Sequence, residues 1–262
     1  MGFLTDFVHG VRRDLAERPI DVAALQEQAA AQPPPRSLGE AIRAAAAADG
    51  LALIAEVKRA SPSAGPIAEV DPVAQARAYA EVAAVVSVLT EPSHFGGSLA
   101  DLRAVRRAIE VPVLRKDFLV HPSQVLEARA AGADTVLLIV ASLPGDELPL
   151  MLGACRDLDM EPLVETHSDD DLARALGTDA EVLGVNARDL ETFEVDVGAA
   201  LERLAAVPPG RITVMESGVS TRTDATAAAD AGASAILVGE ALMRAADPAA
   251  KARALIGREE HP

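Results

Sequence analysis

Two lysines end apolar, β-like runs in a chain that otherwise uses arginine for its basic residues. Of the 24 Lys and Arg residues, only Lys58, Lys116 and Lys251 are lysine. A lysine ammonium can release a proton when burial or neighbouring charge lowers its pKa, whereas arginine stays charged. Lys58 ends the run IAEVK and Lys116 ends PVLRK, while Lys251 lies in a C-terminal helical pattern. We therefore predict proton-transfer chemistry at Lys58 and Lys116, the alternative being surface lysines retained by chance.

Acidic and polar residues end several other apolar runs. Glu56 precedes Lys58 by two positions, so the alternation of a β-strand puts both side chains on one face. Such groups cost free energy to bury unless they bind one another or a ligand, and a network that served only stability would be a weak stabiliser. We predict a catalytic mouth in which Lys58 and Lys116 lower each other's pKa while the glutamates oppose that shift. The residues expected there are Glu56, Lys58, Lys116, Glu165, Asn186, Glu216 and Ser217.

Glycines after the last two apolar runs indicate an anion site. Ser217-Gly218 follows one run, and Gly239-Glu240 follows the other and opens a helical pattern. Glycine lets backbone N–H groups approach an anion, and the N-terminus of a helix favours negative charge. Ser61, in the loop after the first run, adds a hydroxyl. Together these residues predict a phosphate site, although each glycine alone would be an ordinary turn residue.

Eight short runs rich in Val, Ile and Leu alternate with Ala-rich helical stretches. Near-continuous apolar strands are typical of a parallel sheet covered by helices. Eight such units in 262 residues predict an α/β fold, a closed (β/α)8 TIM barrel. An open doubly wound sheet is the alternative, but no Gly-rich dinucleotide turn follows the first run. The predicted strands are 51–58, 84–89, 112–117, 134–141, 161–166, 181–186, 211–216 and 235–239.

The first 48 residues precede these strands and contain helical patterns near 3–16, 21–31 and 37–48. Ser37, followed three residues later by Glu40, has the pattern of a helix capping box. We expect an N-terminal helical extension, residues 1–48, packed on a barrel of residues 49–257. Both belong to a single predicted domain, residues 1–262.

The composition excludes several kinds of partner. A net charge of −16 opposes nucleic acid or an anionic membrane as the main partner. No apolar run approaches the roughly 20 residues of a membrane span, and the N-terminus lacks the apolar core of a signal peptide. Cys155 is the lone cysteine, and the five histidines lack metal-ligand spacing. We expect a cytoplasmic monomer or weak homo-oligomer that binds a small phosphorylated molecule, without metal or other cofactor.

Seven ordered motifs, most of them at the ends of predicted strands, resemble those of indole-3-glycerol phosphate synthases. The resemblance extends from the N-terminal extension to about residue 245. It implies a (β/α)8 barrel enzyme of the tryptophan pathway. This family closes the indole ring of 1-(2-carboxyphenylamino)-1-deoxyribulose 5-phosphate and releases CO₂ and water. The motifs are IAEVKRASPS (54–63), SVLTEPSHFGGS (87–98), PVLRKDF (112–118), LVETH (163–167), GVNARDLETF (184–193), ESGVS (216–220) and LVGEALM (237–243).

The resemblance also implies roles for the matched positions. Lys116 resembles the general acid that protonates the substrate ketone, and Lys58 the residue that holds the substrate carboxylate and acts in dehydration. Glu165 resembles the acid/base of the later proton transfers, and Glu56 a support for the lysines. The matched binders of substrate hydroxyls and intermediate are Asn186, Glu216 and Ser217. The matched phosphate residues are Ser61, Gly218, Gly239 and Glu240, and the residues matched to the anthranilate pocket are Pro62, Phe95, Phe118, Arg188 and Leu190.

Two positions depart from the family pattern, and three other functions stay open at this stage. Ala64 stands where many members have a basic residue, and Ala187 where they have Asn. A Schiff-base aldolase would use Lys116 as its nucleophile but gives Glu56 no role. A related phosphate-barrel isomerase would be expected to use a strand-end Cys or Asp. A regulatory phosphate-binding barrel would bind without turnover, which the full set of acids and bases disfavours.

Overall fold

The computed structural model describes residues 2–18, 20–61, 65–66 and 70–258. Eight parallel strands form a closed barrel, which confirms the predicted fold class. Every predicted strand is present within three residues of its expected bounds. The strands are β1 (Ala52–Val57), β2 (Val85–Leu89), β3 (Val113–Lys116), β4 (Thr135–Ile139), β5 (Leu163–Thr166), β6 (Val182–Asn186), β7 (Ile212–Glu216) and β8 (Ala235–Val238).

The strand order follows the chain, and the first and last strands close the barrel. Ala55 of β1 pairs with Val86 of β2 on one side and with Val238 of β8 on the other. All pairings are parallel, so the carboxyl ends of all eight strands meet at one mouth. The register places Glu165 of β5 opposite Gly184 of β6.

Helices surround this barrel and also precede it. Most of them begin with a residue whose side chain caps the helix; Ser168 and Asp171, for example, form a capping box. The helices are α1 (Phe3–Glu17), α2 (Val22–Ala30), α3 (Leu38–Asp49), α4 (Pro72–Ala80), α5 (Pro92–Phe95), α6 (Leu99–Ala108), α7 (Pro122–Ala130), α8 (Glu147–Arg156), α9 (Asp169–Leu176), α10 (Val197–Ala206), α11 (Arg222–Asp230), α12 (Glu240–Met243) and α13 (Pro248–Ile256).

The predicted N-terminal helices are confirmed, with one change in how α3 is capped. The Ser37 hydroxyl accepts from the Glu40 amide, as expected. The reciprocal bond of a capping box is not formed; instead Ser37 donates to Glu161, 2.9 Å away, and Glu161 also accepts from the Gly39 amide. Glu161 was expected inside the fifth strand. It lies before the strand because its carboxylate binds the N-terminal end of α3, where the helix dipole favours negative charge.

The first helix reaches across the barrel mouth and is held by two loops. Thr5 donates to Glu191 of the loop after β6, with 2.6 Å between the two oxygens. Arg12 pairs with Glu147 at 2.5 Å and also donates to the Ser142 carbonyl, beyond β4. Residues 140–142 form a short 3₁₀ helix where an extended strand was expected. The extension therefore contacts the end of the barrel that carries the predicted site.

Two features of the barrel follow from composition. Its core is built almost entirely of Ala, Val, Leu and Ile; Tyr79 is the large exception, and its hydroxyl contacts the Met243 sulfur at 3.3 Å. Cys155 is buried in α8 and is a free thiol, as expected.

A short antiparallel pair, Ala60–Ser61 with Gly65–Pro66, lies in the loop after β1 and was not predicted. None of the helices in the described ranges has the length and apolar character that crossing a membrane requires.

Candidate active site

Lys116 lies between two buried carboxylates at the carboxyl end of the barrel. It ends β3, and its Nζ atom is 3.1 Å from Glu165 Oε2 and 3.3 Å from Glu216 Oε2. Glu165 and Glu216 end β5 and β7 and are only 2 % and 1 % exposed. Alternate strands thus deliver a lysine and two glutamates to one point, as their positions in sequence predicted.

The second lysine forms its own pair at the end of β1. Lys58 Nζ is 2.7 Å from Glu56 Oε1, and Glu56 is buried. Gly239, after β8, leaves room for this carboxylate because a Cβ atom at that position would overlap Glu56 Oε1. The sequence assigned Gly239 to phosphate binding, and the structure shows that it also accommodates Glu56.

Asn186 connects Glu165 to the loop after β6. Its Nδ2 group donates to Glu165 Oε1 at 3.1 Å, which leaves Oε2 of that glutamate for Lys116. The Oδ1 atom of Asn186 accepts from the Arg188 amide at 3.0 Å. Asn186 therefore fixes both the orientation of Glu165 and the start of a pocket-lining loop.

The charge balance around Lys116 differs from the one expected from sequence. Burial opposes the charged form of its ammonium, but Glu165, Glu216 and Glu56 together outweigh burial and raise the pKa of Lys116. The expectation that a second lysine would depress this pKa is wrong for Lys116, since the nearby carboxylates dominate. The ammonium therefore holds its proton at neutral pH.

Glu216 favours its uncharged form, whereas Lys116 favours its charged form. Burial is the largest cause of the shift in the Glu216 pKa, and it raises this pKa. The charge of Lys116 lowers the pKa and the charge of Glu165 raises it, and the net result is a pKa of about 8. At neutral pH the carboxyl group is therefore mainly protonated. A charged lysine beside a neutral carboxyl group gives the mouth two groups that can donate protons.

The predicted site residues converge on one cavity of about 450 Å³. Pro62 lies outside the described residues, as do the Ser61 side chain and Ala64. Ala187 is buried beside the mouth, and its amide donates to the Glu216 carbonyl. The predicted residues that line the cavity are Glu56, Lys58, Phe95, Lys116, Phe118, Glu165, Asn186, Arg188, Leu190, Glu216, Ser217, Gly218, Gly239 and Glu240.

Known proteins match this chain over nearly its whole length. A family model described as indole-3-glycerol phosphate synthase matches residues 4–255. The chain belongs to the indole-3-glycerol phosphate synthase family. Relatives with this name from Rhodococcus jostii (strain RHA1) and Mycobacterium avium (strain 104) are 48% and 47% identical. The alignment with the Rhodococcus relative covers 100% of this chain and 97% of that relative. The alignment with the Mycobacterium relative covers 99% of this chain and 95% of that relative.

Solved structures add support for the fold alone. The structure of a 3-hexulose-6-phosphate synthase has a TM-score of 0.65 at 20% identity, covering 79% of this chain and 99% of that one. A second such structure, from Salmonella typhimurium, has a TM-score of 0.61 at 18% identity, covering 79% and 97%. Membership of the indole-3-glycerol phosphate synthase family confirms the predicted enzyme class, a carboxy-lyase of tryptophan biosynthesis.

In this synthase-family barrel, the backbone at the predicted phosphate loops has an unusual conformation. Ser217 has φ of 62° and Gly218 of 74°, so two consecutive residues are left-handed. A non-glycine residue in that region is strained by about 1–3 kcal/mol, which is typical of functional sites. The Glu240 side chain pairs with Arg244 at 2.9 Å, so only its amide is suited to bind an anion.

Sequence reasoning missed several residues that line the cavity, among them Arg244 and Phe193. Arg244 lines the cavity four residues after Glu240, and the i, i+4 spacing on α12 was the available signal. Phe193 also lines it, with a left-handed φ of 63°. It was visible within the motif GVNARDLETF but was given no role.

The aromatic wall of the cavity is continuous with the N-terminal helix. The chain has only five phenylalanines. The Phe118 ring centroid is 6.3 Å from that of Phe95 and 4.4 Å from that of Phe7, which packs behind it from α1. Phe3 of the same helix lies 4.9 Å from Phe193. Every phenylalanine is therefore placed in or directly behind the cavity wall.

Buried groups on either side of Lys116 hold β3 in place. Arg115 is buried, and its guanidinium donates to Asp117 at 3.0 Å, Glu127 at 3.1 Å and Thr90 at 3.2 Å. Thr90 in turn donates to Asp117 at 2.6 Å. Because the residues next to Lys116 are fixed in this way, its backbone has little freedom to move.

Among the described residues, no group of three or more His, Cys, Asp or Glu side chains has the arrangement of a metal site.

Proposed function

We propose that the mouth binds 1-(2-carboxyphenylamino)-1-deoxyribulose 5-phosphate and closes its indole ring, with loss of CO₂ and water. The observation that carries this proposal is the position of Lys116, whose ammonium lies between two buried glutamates inside a cavity with an aromatic wall. Ring closure needs a proton donor at a carbonyl group in a site from which water is excluded.

Lys116 is the general acid of this proposal. Its raised pKa keeps the proton on Nζ until the substrate ketone oxygen accepts it. Protonation makes the carbonyl carbon electrophilic enough for attack by the aryl ring. A positioned general acid contributes about 10²–10⁴ in rate. The tight contacts of the lysine with Glu165 and Glu216 keep it oriented before substrate arrives.

Lys58 binds the carboxylate of the anthranilate group until CO₂ leaves, and then donates a proton to the departing hydroxyl. Its ion pair with Glu56 keeps Nζ directed into the cavity, since Glu56 is itself buried and fixed. The electrons of the broken bond to CO₂ restore the aromatic benzene ring. Loss of the hydroxyl as water, with removal of a proton from the adjacent CH₂ carbon by Glu165, then forms the carbon–carbon double bond of the five-membered ring.

Glu165 accepts and returns protons in these later steps, while Glu216 in its neutral form donates a hydrogen bond. The pKa of Glu216 of about 8 supports the neutral form proposed for this residue. Asn186 holds Glu165 through one oxygen and leaves the other next to Lys116. Ser217 binds a substrate hydroxyl at the same edge.

The two ends of the substrate occupy opposite walls. The phosphate binds the amides of Gly218, Gly239 and Glu240, with the Ser61 hydroxyl and with Arg244 as an additional cation. The aromatic ring lies against an apolar wall that continues into α1 through Phe7. The residues proposed for that wall are Pro62, Phe95, Phe118, Arg188 and Leu190.

The decisive experiment follows indole fluorescence after purified protein is mixed with the carboxyphenylamino substrate. Wild type should turn over, and Lys116→Ala should lose about 10²–10⁴ in kcat while its circular dichroism spectrum stays unchanged. Borohydride should trap no substrate adduct. A trapped adduct on Lys116 would replace this proposal with Schiff-base chemistry, and binding without turnover would indicate a regulatory barrel.

The proposal also covers the cellular compartment, the oligomeric state and the binding partners of the enzyme. A cytoplasmic enzyme that works as a monomer or weak homo-oligomer suits a small-molecule biosynthetic reaction, and the net charge of −16 disfavours nucleic acid as a partner. Size-exclusion chromatography with light scattering would measure the oligomeric state directly.

A further inference from the structure

A second polar cavity lies at the opposite end of the barrel from the catalytic mouth. Its volume is about 270 Å³, enough for a small oxyanion. It separates the N-terminal extension from two barrel helices. Its lining consists of Gln28, Ala31 and Gln32 of the extension, Arg103, Arg106 and Arg107 of α6, and Ala130 and Ala131 at the end of α7.

Two of the three arginines in this lining have no carboxylate partner. Across residues 2–18, 20–61, 65–66 and 70–258, neither Arg103 nor Arg107 forms an ion pair or side-chain hydrogen bond. Arg106 has a single carboxylate neighbour, Asp134, at 2.9 Å. Such an excess of positive charge contrasts with a protein whose net charge is −16.

The carboxylate behind the cavity is already fully engaged. Asp134 is 1 % exposed and accepts from the Arg36 amide through Oδ1 and from the Val113 amide through Oδ2, each at 2.9 Å. Arg36 Nη1 lies 3.8 Å from the same carboxylate. One side chain thus contacts two guanidinium groups and two backbone amides, and it forms no contact with Arg103 or Arg107.

A buried arginine behind the cavity adds to the positive charge. Arg129 is 5 % exposed, and its Nη2 group donates to the Pro33 carbonyl. Its Nη1 group is buried without a hydrogen-bond partner in the described part of the chain. Burial lowers the pKa of Arg129 and of Arg36, and the charge of Arg106 lowers both further. These guanidinium groups therefore repel one another in a partly desolvated place.

The helix dipole explains only part of this arrangement. Arg106 and Arg107 lie in the last turn of α6, where the partial negative charge of the helix end favours a cation. Arg129 and Arg36 belong to other elements and draw no benefit from that helix end. A bound anion would offset part of this positive charge through the arginines that line the cavity.

We propose that this cavity binds a phosphate-class oxyanion, either inorganic phosphate or the phosphate group of a small metabolite. Arginine is suited to phosphate because its planar guanidinium donates two parallel hydrogen bonds. Arg103 and Arg107 provide two unpaired positive charges for a dianion, and Gln28 and Gln32 provide amide donors. The bound anion joins α2 to α6 and α7, so it stabilises the contact between extension and barrel. This site is independent of the reaction proposed for the mouth.

The test must separate this cavity from the mouth, which is also expected to bind phosphate. Backbone amide NMR shifts do so, because Ala130 and Ala131 report on the cavity and Gly218 on the mouth. Inorganic phosphate should shift the two alanine amides at constant ionic strength. The double variant Arg103→Gln/Arg107→Gln should weaken that response about tenfold or more, as expected for losing charged hydrogen bonds. Its kcat and KM for the substrate should stay unchanged.

The matched control is Arg13→Gln/Arg77→Gln, which alters net charge equally at exposed positions on α1 and α4. It should keep the response of Ala130 and Ala131. Three results would overturn the proposal. Wild type and both variants could show equal phosphate-induced shifts at Ala130 and Ala131, both variants could lose these shifts equally, or phosphate could shift Gly218 alone. Glycerol 3-phosphate serves as the second probe. Binding of either probe at the alanines supports the site, and the probe that saturates at lower concentration identifies the source of the anion.

Discussion

Gly184 provides the space into which Glu216 reaches. A Cβ atom on Gly184 would overlap Glu216 Oε1, and Gly184 is also the register partner of Glu165. The missing side chain on β6 thus allows a glutamate on β7 to approach Lys116 from the side opposite Glu165. One glycine in the middle of a strand thus determines how Lys116, Glu165 and Glu216 are arranged.

Gly184→Ala should therefore damage catalysis more than stability. Displacing the Glu216 carboxylate by about 1 Å is expected to lower kcat by about 100-fold, and overpacking should cost about 1–3 kcal/mol. Steady-state kinetics and urea unfolding measure the two effects. Gly153→Ala on α8 is the control, since its Cβ would meet only ordinary contacts. Unchanged kcat in Gly184→Ala would show that the position of Glu216 does not matter.

Lys116→Arg separates charge from proton transfer. Arginine keeps the positive charge between Glu165 and Glu216, so the fold should be retained. Its guanidinium does not release a proton in the working pH range, so kcat should fall by about 10²-fold or more. Kinetics beside circular dichroism provide the test. Retention of most of the wild-type rate would mean that Lys116 acts only as a fixed charge.

The protonation of Glu216 makes stability depend on pH in a defined interval. Its pKa in the folded protein is about 8, against an ordinary value of 4.5. Between these values the folded protein holds a proton that the unfolded chain has released. The stabilisation is complete below pH 4.5 and is lost as the pH rises through about 8.

Glu216→Gln should remove this contribution and flatten the profile of unfolding free energy over that interval, by a few kcal/mol in total. Urea unfolding at several pH values between the two limits measures the slope. Glu202→Gln, at an exposed position on α10, should leave the slope as in wild type. Parallel profiles for wild type and Glu216→Gln would contradict the assignment.

Removing Arg115 should cost far more than removing an exposed arginine. Arg115→Met leaves the half-buried carboxylates of Asp117 and Glu127 without the buried guanidinium between them, so stability should fall by about 3 kcal/mol. The side chain of Arg115 is 4 % exposed, whereas those of Arg156 and Asp179 are 59 % and 68 % exposed. Arg156→Met should therefore cost less than about 1 kcal/mol. Similar losses in thermal unfolding for both variants would rule out a buried network that holds β3.

Family membership and the eight strands were predictable because they depend on local patterns. Eight short apolar runs that alternate with longer helical patterns indicate strands buried on both faces, and the polar residues that end them, such as Lys116 and Glu165, must lie at one mouth once the barrel closes. Alternation along a single strand placed Glu56 and Lys58 on one face. None of this requires distances between remote residues.

The charge state of the mouth was decided by tertiary structure. Sequence order gives no measure of how close Glu216 and Lys116 come, and that distance, with burial, determines which groups hold protons. For this reason three nearby glutamates, rather than a second lysine, determine the direction in which the pKa of Lys116 shifts. Gly184 and Gly239 make room for carboxylates from other strands, a relationship that exists only after the barrel has closed.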